Sequence, residues 1–283
     1  MVHSAPPPAP SPAADRRSVP PPADPRPAGG ARPAPVSVAR ALSKLGACSR
    51  RDAERHVAEG RVRVDGRVVR DAAARVDPRR ARLELDGRPV RAAARVYLAL
   101  HKSRGVVTSR VSERGAPTVY DLLPPAYAAR HLSAVGRLDK ASEGLLLVTN
   151  DTRWGARVLD PGAHVPKCYH VHVDRVPDDA LLGALRRGAA GGPGEWLAVA
   201  EARVLRAGAR TGWLALVLHE GRNRHIRRLL EALGVGVERL IRVSIGPLAL
   251  GDLAPGAVRA LTPAERQALG GAEPPVPLPP ASR

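Results

Sequence analysis

Gly136-Arg-Leu-Asp-Lys-Ala-Ser-Glu-Gly-Leu-Leu-Leu-Val-Thr-Asn-Asp151 joins two kinds of sequence within one short stretch. Its first part, Gly136 to Gly144, is dense in charge and bounded by glycines. Leu145-Leu146-Leu147-Val148 then reads as a strand buried on both faces, and Thr149-Asn150-Asp151 reads as the turn that ends it. Flanked by Arg137 and Lys140, Asp139 reads as an ionised carboxylate. Such a group suits a nucleophile or a base, and equally a turn or N-cap residue.

Outward from this strand, short apolar runs separated by turn residues continue from about Tyr97, the texture of an α+β domain. Trp213 to Leu218 reads as a second buried strand. Lys167-Cys168-Tyr169-His170-Val171-His172-Val173 reads as an alternating one, with Tyr169, Val171 and Val173 on one face and Cys168, His170 and His172 on the other. Three ligand-type residues on a single strand do not make a closed metal site, so no metal is expected. The clearest helix follows Asn223, with Ile226, Leu229, Leu230 and Leu233 at i, i+3, i+4 and i+7 and Gly234 closing it. Arg224, Arg227, Arg228 and Glu231 are expected together on another face. Arginines at a helix start oppose the helix dipole unless an anion sits there, which points to an acidic side chain or a phosphate nearby.

Toward the N-terminus lies a smaller periodic module. Ser37 is placed to cap a helix carrying Val38, Ala41, Leu42 and Leu45 and stopped by Gly46. Ser49 and Asp52 form a capping pair for a second helix, which Gly60 ends. Arg61-Val-Arg-Val-Asp-Gly-Arg-Val68 alternates strictly around Asp65-Gly66, a hairpin signal, and Asp86-Gly87 repeats it after Leu83 and Leu85. Between Val36 and Arg95 there are 16 basic and 8 acidic residues, 16 − 8 = +8. The whole chain of 283 residues has 45 Lys and Arg against 27 Asp and Glu, a net +18. Arginine in place of lysine and the absence of Phe follow GC-rich codon usage, which does not explain why bases outnumber acids. The excess points to a polyanionic partner, and nucleic acid is the usual one.

The ends differ from this interior. Residues 1–35 hold 12 of the 29 prolines and are expected as a disordered tail; residues 266–283 are expected as a loose Pro-rich tail. No apolar run approaches the ~20 residues that span a bilayer. Two distant cysteines, Cys48 and Cys168, exclude a disulfide framework. A cytoplasmic monomer without membrane contact is the expectation.

The segment Val36 to Val69 resembles the S4 RNA-binding domain through Val38-Ala-Arg-Ala-Leu-Ser-Lys-Leu-Gly46, Ser49-Arg-Arg-Asp-Ala53 and Gly60-Arg-Val-Arg-Val-Asp-Gly66. The rest resembles the RsuA-like ribosomal RNA pseudouridine synthases. Gly136-Arg-Leu-Asp139 with Ser142-x-Gly144-Leu-Leu-Leu-Val-Thr-Asn-Asp151 is similar to that family's catalytic motif. His101-Lys102-Ser103-x-Gly105 is similar to its opening motif, and Lys167-x-Tyr169-x-Val171 to its Tyr motif. Glu220-Gly-Arg-Asn-Arg-His-Ile-Arg-Arg228 and Leu240-x-Arg242-x-x-Ile245-Gly246 complete the order. His101 and Ser103 stand where Asn and Pro are usual, Thr152 where Gly is, and Cys168 where Thr is.

The resemblance implies an S4-like domain at 36–95, two helices plus a short sheet. After it comes a catalytic domain at 96–265, a mixed, mainly antiparallel β-sheet flanked by helices. It implies a cofactor-free isomerisation of uridine in ribosomal RNA or a pre-ribosomal subunit, with large-subunit members closer than small-subunit ones. Asp139 would be the attacking carboxylate. Tyr169 would stack on the uracil and help remove the C5 proton, and Arg227 would pair with Asp139. Leu240 and Ile245 would form the apolar floor under the base. Arg137, Lys140, Arg222, Arg224, Arg50, Arg51 and Arg63 would contact RNA. The competing reading, a non-catalytic ribosome-associated S4 protein, has no need of an Asp facing phosphate.

Overall fold

The computed structural model describes residues 34–270, apart from 79, 113, 114 and 129. The tail expectations for residues 1–33 and 271–283 lie outside the described residues. Among those described, no helix is long and apolar enough to cross a membrane.

The first module runs β1 (Val36–Ser37), α1 (Val38–Lys44), α2 (Arg50–Ala58), β2 (Val62–Val64), β3 (Arg67–Val68), β4 (Arg75–Val76), β5 (Leu83–Leu85) and β6 (Arg88–Pro89). Ser37 Oγ accepts from the Arg40 amide, capping α1. At α2 the Ser49 hydroxyl accepts from the Asp52 amide at 2.9 Å and donates to the Asp52 carboxylate at 2.6 Å. That differs from a reciprocal capping box, in which the acid reaches the cap's own N–H. Both Asp-Gly turns have two successive positive φ angles, 49° and 81° at Asp65-Gly66 and 51° and 74° at Asp86-Gly87. This is the primed geometry that matches strand twist. It sets the order β3-β2-β5-β6, while β1 pairs with β4. Val38, Leu42, Ala53, Val57, Val62 and Leu83 close a small core of their own.

The second part contains β7 (Tyr97–Lys102), α3 (Pro125–Ala128), β8 (Ser133–Val135), β9 (Glu143–Thr149), α4 (Thr152–Leu159), β10 (Lys167–Val173) and α5 (Asp179–Arg187). It continues with β11 (Ala189–Gly192), β12 (Glu195–Leu197), β13 (Glu201–Ala207), β14 (Gly212–Leu218) and α6 (His225–Ala232). The last elements are β15 (Val237–Ile245), β16 (Leu248–Ala249), β17 (Val258–Ala260) and α7 (Pro263–Gly270). One large sheet runs β13-β14-β10-β15-β9-β7-β17, with β8 added to β9 and β16 to β15. Every pairing in it is antiparallel except β9 with β15. The sheet is therefore mixed and mainly antiparallel, as expected.

Its two faces carry separate cores. On one, Leu100, Leu146, Tyr169, Val171, Leu216 and Leu240 meet Leu182 and Leu185 of α5 and Ile226, Leu229 and Leu230 of α6. On the other, Leu145, Leu147 and Ile245 meet Trp154 and Val158 of α4 and Leu269 of α7. Leu145 to Val148 are wholly buried, and each such side chain contributes about 1.5–3 kcal/mol. β9 is thus a fixed post for the loop that precedes it. Helix α7 corrects the expected boundary at 265, since it runs to Gly270. Leu269 buries against the Trp154 core, and Glu265 pairs with Arg259 and accepts from the Thr262 amide.

Candidate active site

Asp139 sits in the Gly136–Ser142 loop between β8 and β9, and that loop is held from behind. The Thr108 hydroxyl donates to Leu138 O at 2.9 Å and accepts from the Leu138 amide at 3.3 Å. The Gly105 amide donates to Lys140 O at 2.8 Å. Lys102, fully buried, places its Nζ at 2.6 Å from Ser142 O, 3.2 Å from Ser103 O and 3.5 Å from Lys140 O. Burial pushes this ammonium down to about 8, while Asp139 and Glu143 pull it back up. Three carbonyls thus solvate a charge that water cannot reach. Glu143 in turn is gripped bidentately by Arg239 at 2.8 and 2.9 Å, which holds its carboxyl below the ordinary range.

At the other end of the motif, Gly144 has φ of 106° and lies against β15. A Cβ there would stand 2.3 Å from Arg242 O. Only glycine lets β15 run parallel to β9 at this point, where Arg242 is the partner of Gly144. That contact carries Leu240 and Arg242 to Asp139. Strand β10 lies on the far side of β15, with Tyr169 opposite Arg242 and Val171 opposite Leu240.

The result is a cavity of about 490 Å³ whose lining includes Asp139, Tyr169, Arg227, Leu240, Lys167 and Arg242. Asp139 is half-buried, and Tyr169 is almost fully so. Among the described residues the Asp139 carboxylate has no hydrogen bond or ion pair. Arg227 does not pair with it as expected. Its Nη2 donates to Ala141 O at 3.1 Å and its Nη1 to Val237 O at 3.3 Å, so it clamps the loop's backbone two residues beyond Asp139. Burial and the neighbouring Arg224 pull the Arg227 guanidinium down, and Asp139 acts in the opposite sense. Its influence on the carboxylate is through space.

Ile245 is not part of this floor. Its side chain packs in the opposite core with Leu145 and Leu248, beyond the irregularity at which β15 shifts register against β10 between Arg242 and Ser244. The arginines of α6 also divide. Arg224, Arg227 and Glu231 follow one face. Arg228, 100° further round, turns to the β11–β12 hairpin, where it bonds Glu195 and Gly191 O. Arg222 lines the cavity but is engaged by Glu220 at 3.0 Å and by Trp196 O at 3.0 Å. Arg224 occupies the N-cap of α6 at φ 49° with no side-chain cap bond. Arg137 and Lys140 are exposed on the loop, and Arg50, Arg51 and Arg63 on the first module. His170 and His172 do not converge on a site. His172 stacks on Trp213 at 5.0 Å and bonds the Thr211 hydroxyl.

Residues 96–232 match the RNA pseudouridylate synthase family, and residues 38–79 match the S4 domain. Over 231 residues the chain is 41% identical to a Mycobacterium tuberculosis protein named as an uncharacterized RNA pseudouridine synthase, covering 81% of this chain and 91% of that protein. The chain belongs to the RNA pseudouridylate synthase family. A Bacillus subtilis relative, named ribosomal large subunit pseudouridine synthase B, is 34% identical over 228 residues, 80% of this chain and 92% of that one. The protein of the same name from Escherichia coli O157:H7 is 38% identical over 222 residues, 75% and 74% of the two chains. A solved structure titled as a pseudouridylate synthase superposes with a TM-score of 0.59 over 83% of this chain and 99% of that one, at 24% identity, which shows a shared fold. In this synthase the family's sheet therefore carries the cavity, and the S4 module precedes it.

Sequence reasoning named Asp139, Tyr169, Arg227 and Leu240 but missed what supports them. Lys102 was visible only as a motif letter; four lysines against 41 arginines was the signal that such a lysine is special. Thr108 gave no signal, because its partner is a backbone 30 residues away.

Proposed function

We propose that the protein isomerises a uridine of ribosomal RNA, on the large subunit, to pseudouridine, with Asp139 as nucleophile and no cofactor. The carboxylate attacks the target nucleotide and the C1′–N1 bond breaks, its electron pair leaving with the base. The base turns and C5 bonds C1′, and the bond to the Asp139 carboxylate breaks to release it; the C5 proton departs with help from Tyr169, and N1 gains one. No atom is gained or lost. Tyr169 stacks on a uracil taken out of its helix, Leu240 lies beneath it, and Arg137, Lys140 and Arg224 hold flanking phosphates. Arg50, Arg51 and Arg63 of the S4 module anchor the same RNA at a second place. We place the boundary between the two domains near residue 95.

The observation that supports this reading is a single cavity lined by Asp139, Tyr169, Arg227 and Leu240, which come from a loop, a helix and two strands up to 101 positions apart. The large-subunit assignment is supported by the names of the relatives. The test is tritium release from C5-labelled uridine in large- and small-subunit transcripts, comparing wild type with Asp139→Asn. Release by the wild type alone, from the large-subunit transcript, is expected. Equal release from both proteins removes Asp139 from the chemistry. Tight binding without release from either transcript returns the protein to the non-catalytic reading.

A further inference from the structure

Two more cations line the cavity floor outside any ion pair among the described residues. Lys167 and Arg242 are 7% and 5% exposed, yet among the described residues neither takes part in an ion pair. They lie on neighbouring strands and face the same side. Lys167 is two residues before Tyr169 on β10, and Arg242 is the partner of Tyr169 across the ladder. Among the described residues Lys167 Nζ has one acceptor, His219 O at 3.2 Å. Arg242 Nε donates to Leu145 O at 2.7 Å, but its Nη2 is buried without any partner. The Ser142 hydroxyl, which also lines the cavity, is likewise buried and unpartnered.

Buried charges in proteins are paired, because an isolated one costs several kcal/mol of lost hydration. Here two like charges are brought together and left short of acceptors beside a cavity. Lys102 shows that this fold can satisfy a buried ammonium fully, with three carbonyls and two carboxylates in range. The shortage at Lys167 and Arg242 is therefore local to the cavity floor, where a ligand supplies what the protein does not.

We propose that Lys167 and Arg242, with the Ser142 hydroxyl, form an anion subsite that holds a negatively charged oxygen of the target nucleotide. The inference rests on the reading of the cavity as a nucleotide site. Two oxygens have this chemistry: a phosphodiester oxygen of the extruded nucleotide, and a uracil ring oxygen charged once the base has left C1′. Both are short, strong acceptors for an ammonium and a guanidinium.

The test uses the full chain and two probes, inorganic phosphate and barbiturate, a uracil-like ring that is an anion at neutral pH. Lys167→Met, Arg242→Met and Lys167→Arg are compared with wild type by thermal unfolding and by turnover. Without ligand, Lys167→Met is expected to raise Tm by about 2–8 °C, since an unpaired buried charge is removed. It should nonetheless lose about tenfold or more in turnover. Wild type should be stabilised by phosphate if the phosphodiester is held, or by barbiturate if the base is, and Lys167→Met and Arg242→Met should lose that response. Lys167→Arg should keep it. A lower Tm in Lys167→Met with turnover falling only as the folded fraction falls overturns the subsite. So does a wild type that neither anion stabilises, or an anion response that survives in both Met variants. If Asp139→Asn matches wild type in tritium release while the anion response depends on Lys167, the catalytic reading fails and the subsite stands.

Discussion

Two buried lysines serve one cavity and differ in what surrounds them. Lys102, behind the Asp139 loop, is saturated by backbone carbonyls and has Asp139 and Glu143 in electrostatic range. Lys167, in the floor, has one carbonyl, an arginine beside it and open space. Burial brings both ammonium groups down to about 8 from 10.5, so the shift alone does not separate them. The acceptor inventory does. A charge the protein solvates completely is a structural strut, and one it leaves short is available to a substrate.

The sharpest way to break this contrast is to delete each charge. Lys102→Met strips three carbonyls of their donor and frees the loop. It should lower stability by about 3–5 kcal/mol and abolish tritium release in whatever protein remains folded. Denaturant unfolding beside turnover measures both. Lys167→Met should move stability the other way. Gly144→Ala is next in size. A Cβ at 2.3 Å from Arg242 O must push β9 and β15 apart, costing about 3 kcal/mol or more and unseating Arg242 and Leu240. Urea midpoints and the loss of the anion response report it.

The two lysines can also be compared through pH. Each has its folded-state proton affinity lowered, so between about pH 8 and 10.5 the unfolded chain holds protons that the folded chain has released. Stability therefore gains from each group as pH rises through that window, and is flat below it on their account. Unfolding free energies at pH 7.5, 9 and 10 should show a smaller rise in Lys167→Met than in wild type. An unchanged difference would mean Lys167 titrates normally.

Smaller effects come from outside the cavity. Changing Arg50, Arg51 and Arg63 to Ala should weaken RNA binding and reduce the salt slope by about 0.7–0.9 per lost phosphate contact, with turnover of bound RNA unchanged. Smallest is Ile245→Val. Its side chain belongs to the opposite core, so it should cost about 1 kcal/mol of stability and leave turnover as it is.

Much of the first module was legible because its signals are local. Ser37 and Ser49 are three residues from the amides they cap, and each Asp-Gly turn sets its own hairpin. The buried strand at Leu145–Val148 and the apolar stripe of α6 were equally plain. The errors share one cause. Assigning Ile245 to the floor, pairing Arg227 with Asp139, and grouping Arg228 with Arg227 each required knowing which face meets which neighbour. Ending the domain at 265 overlooked Leu269, whose burial depends on Trp154, 115 residues away in sequence.

What the sequence determined by itself was the list of elements: the caps, the turns and the order of the motifs. These follow from spacing within a few residues, where side chain and backbone constrain one another directly. Tertiary structure alone decided that β9 runs parallel to β15 through Gly144, that three carbonyls gather around Lys102, and that Lys167 and Arg242 face one cavity outside any ion pair among the described residues. The first and last of these depend on register between strands 70 to 100 residues apart, and register is fixed by the packing of two cores on opposite faces of one sheet rather than by any local pattern.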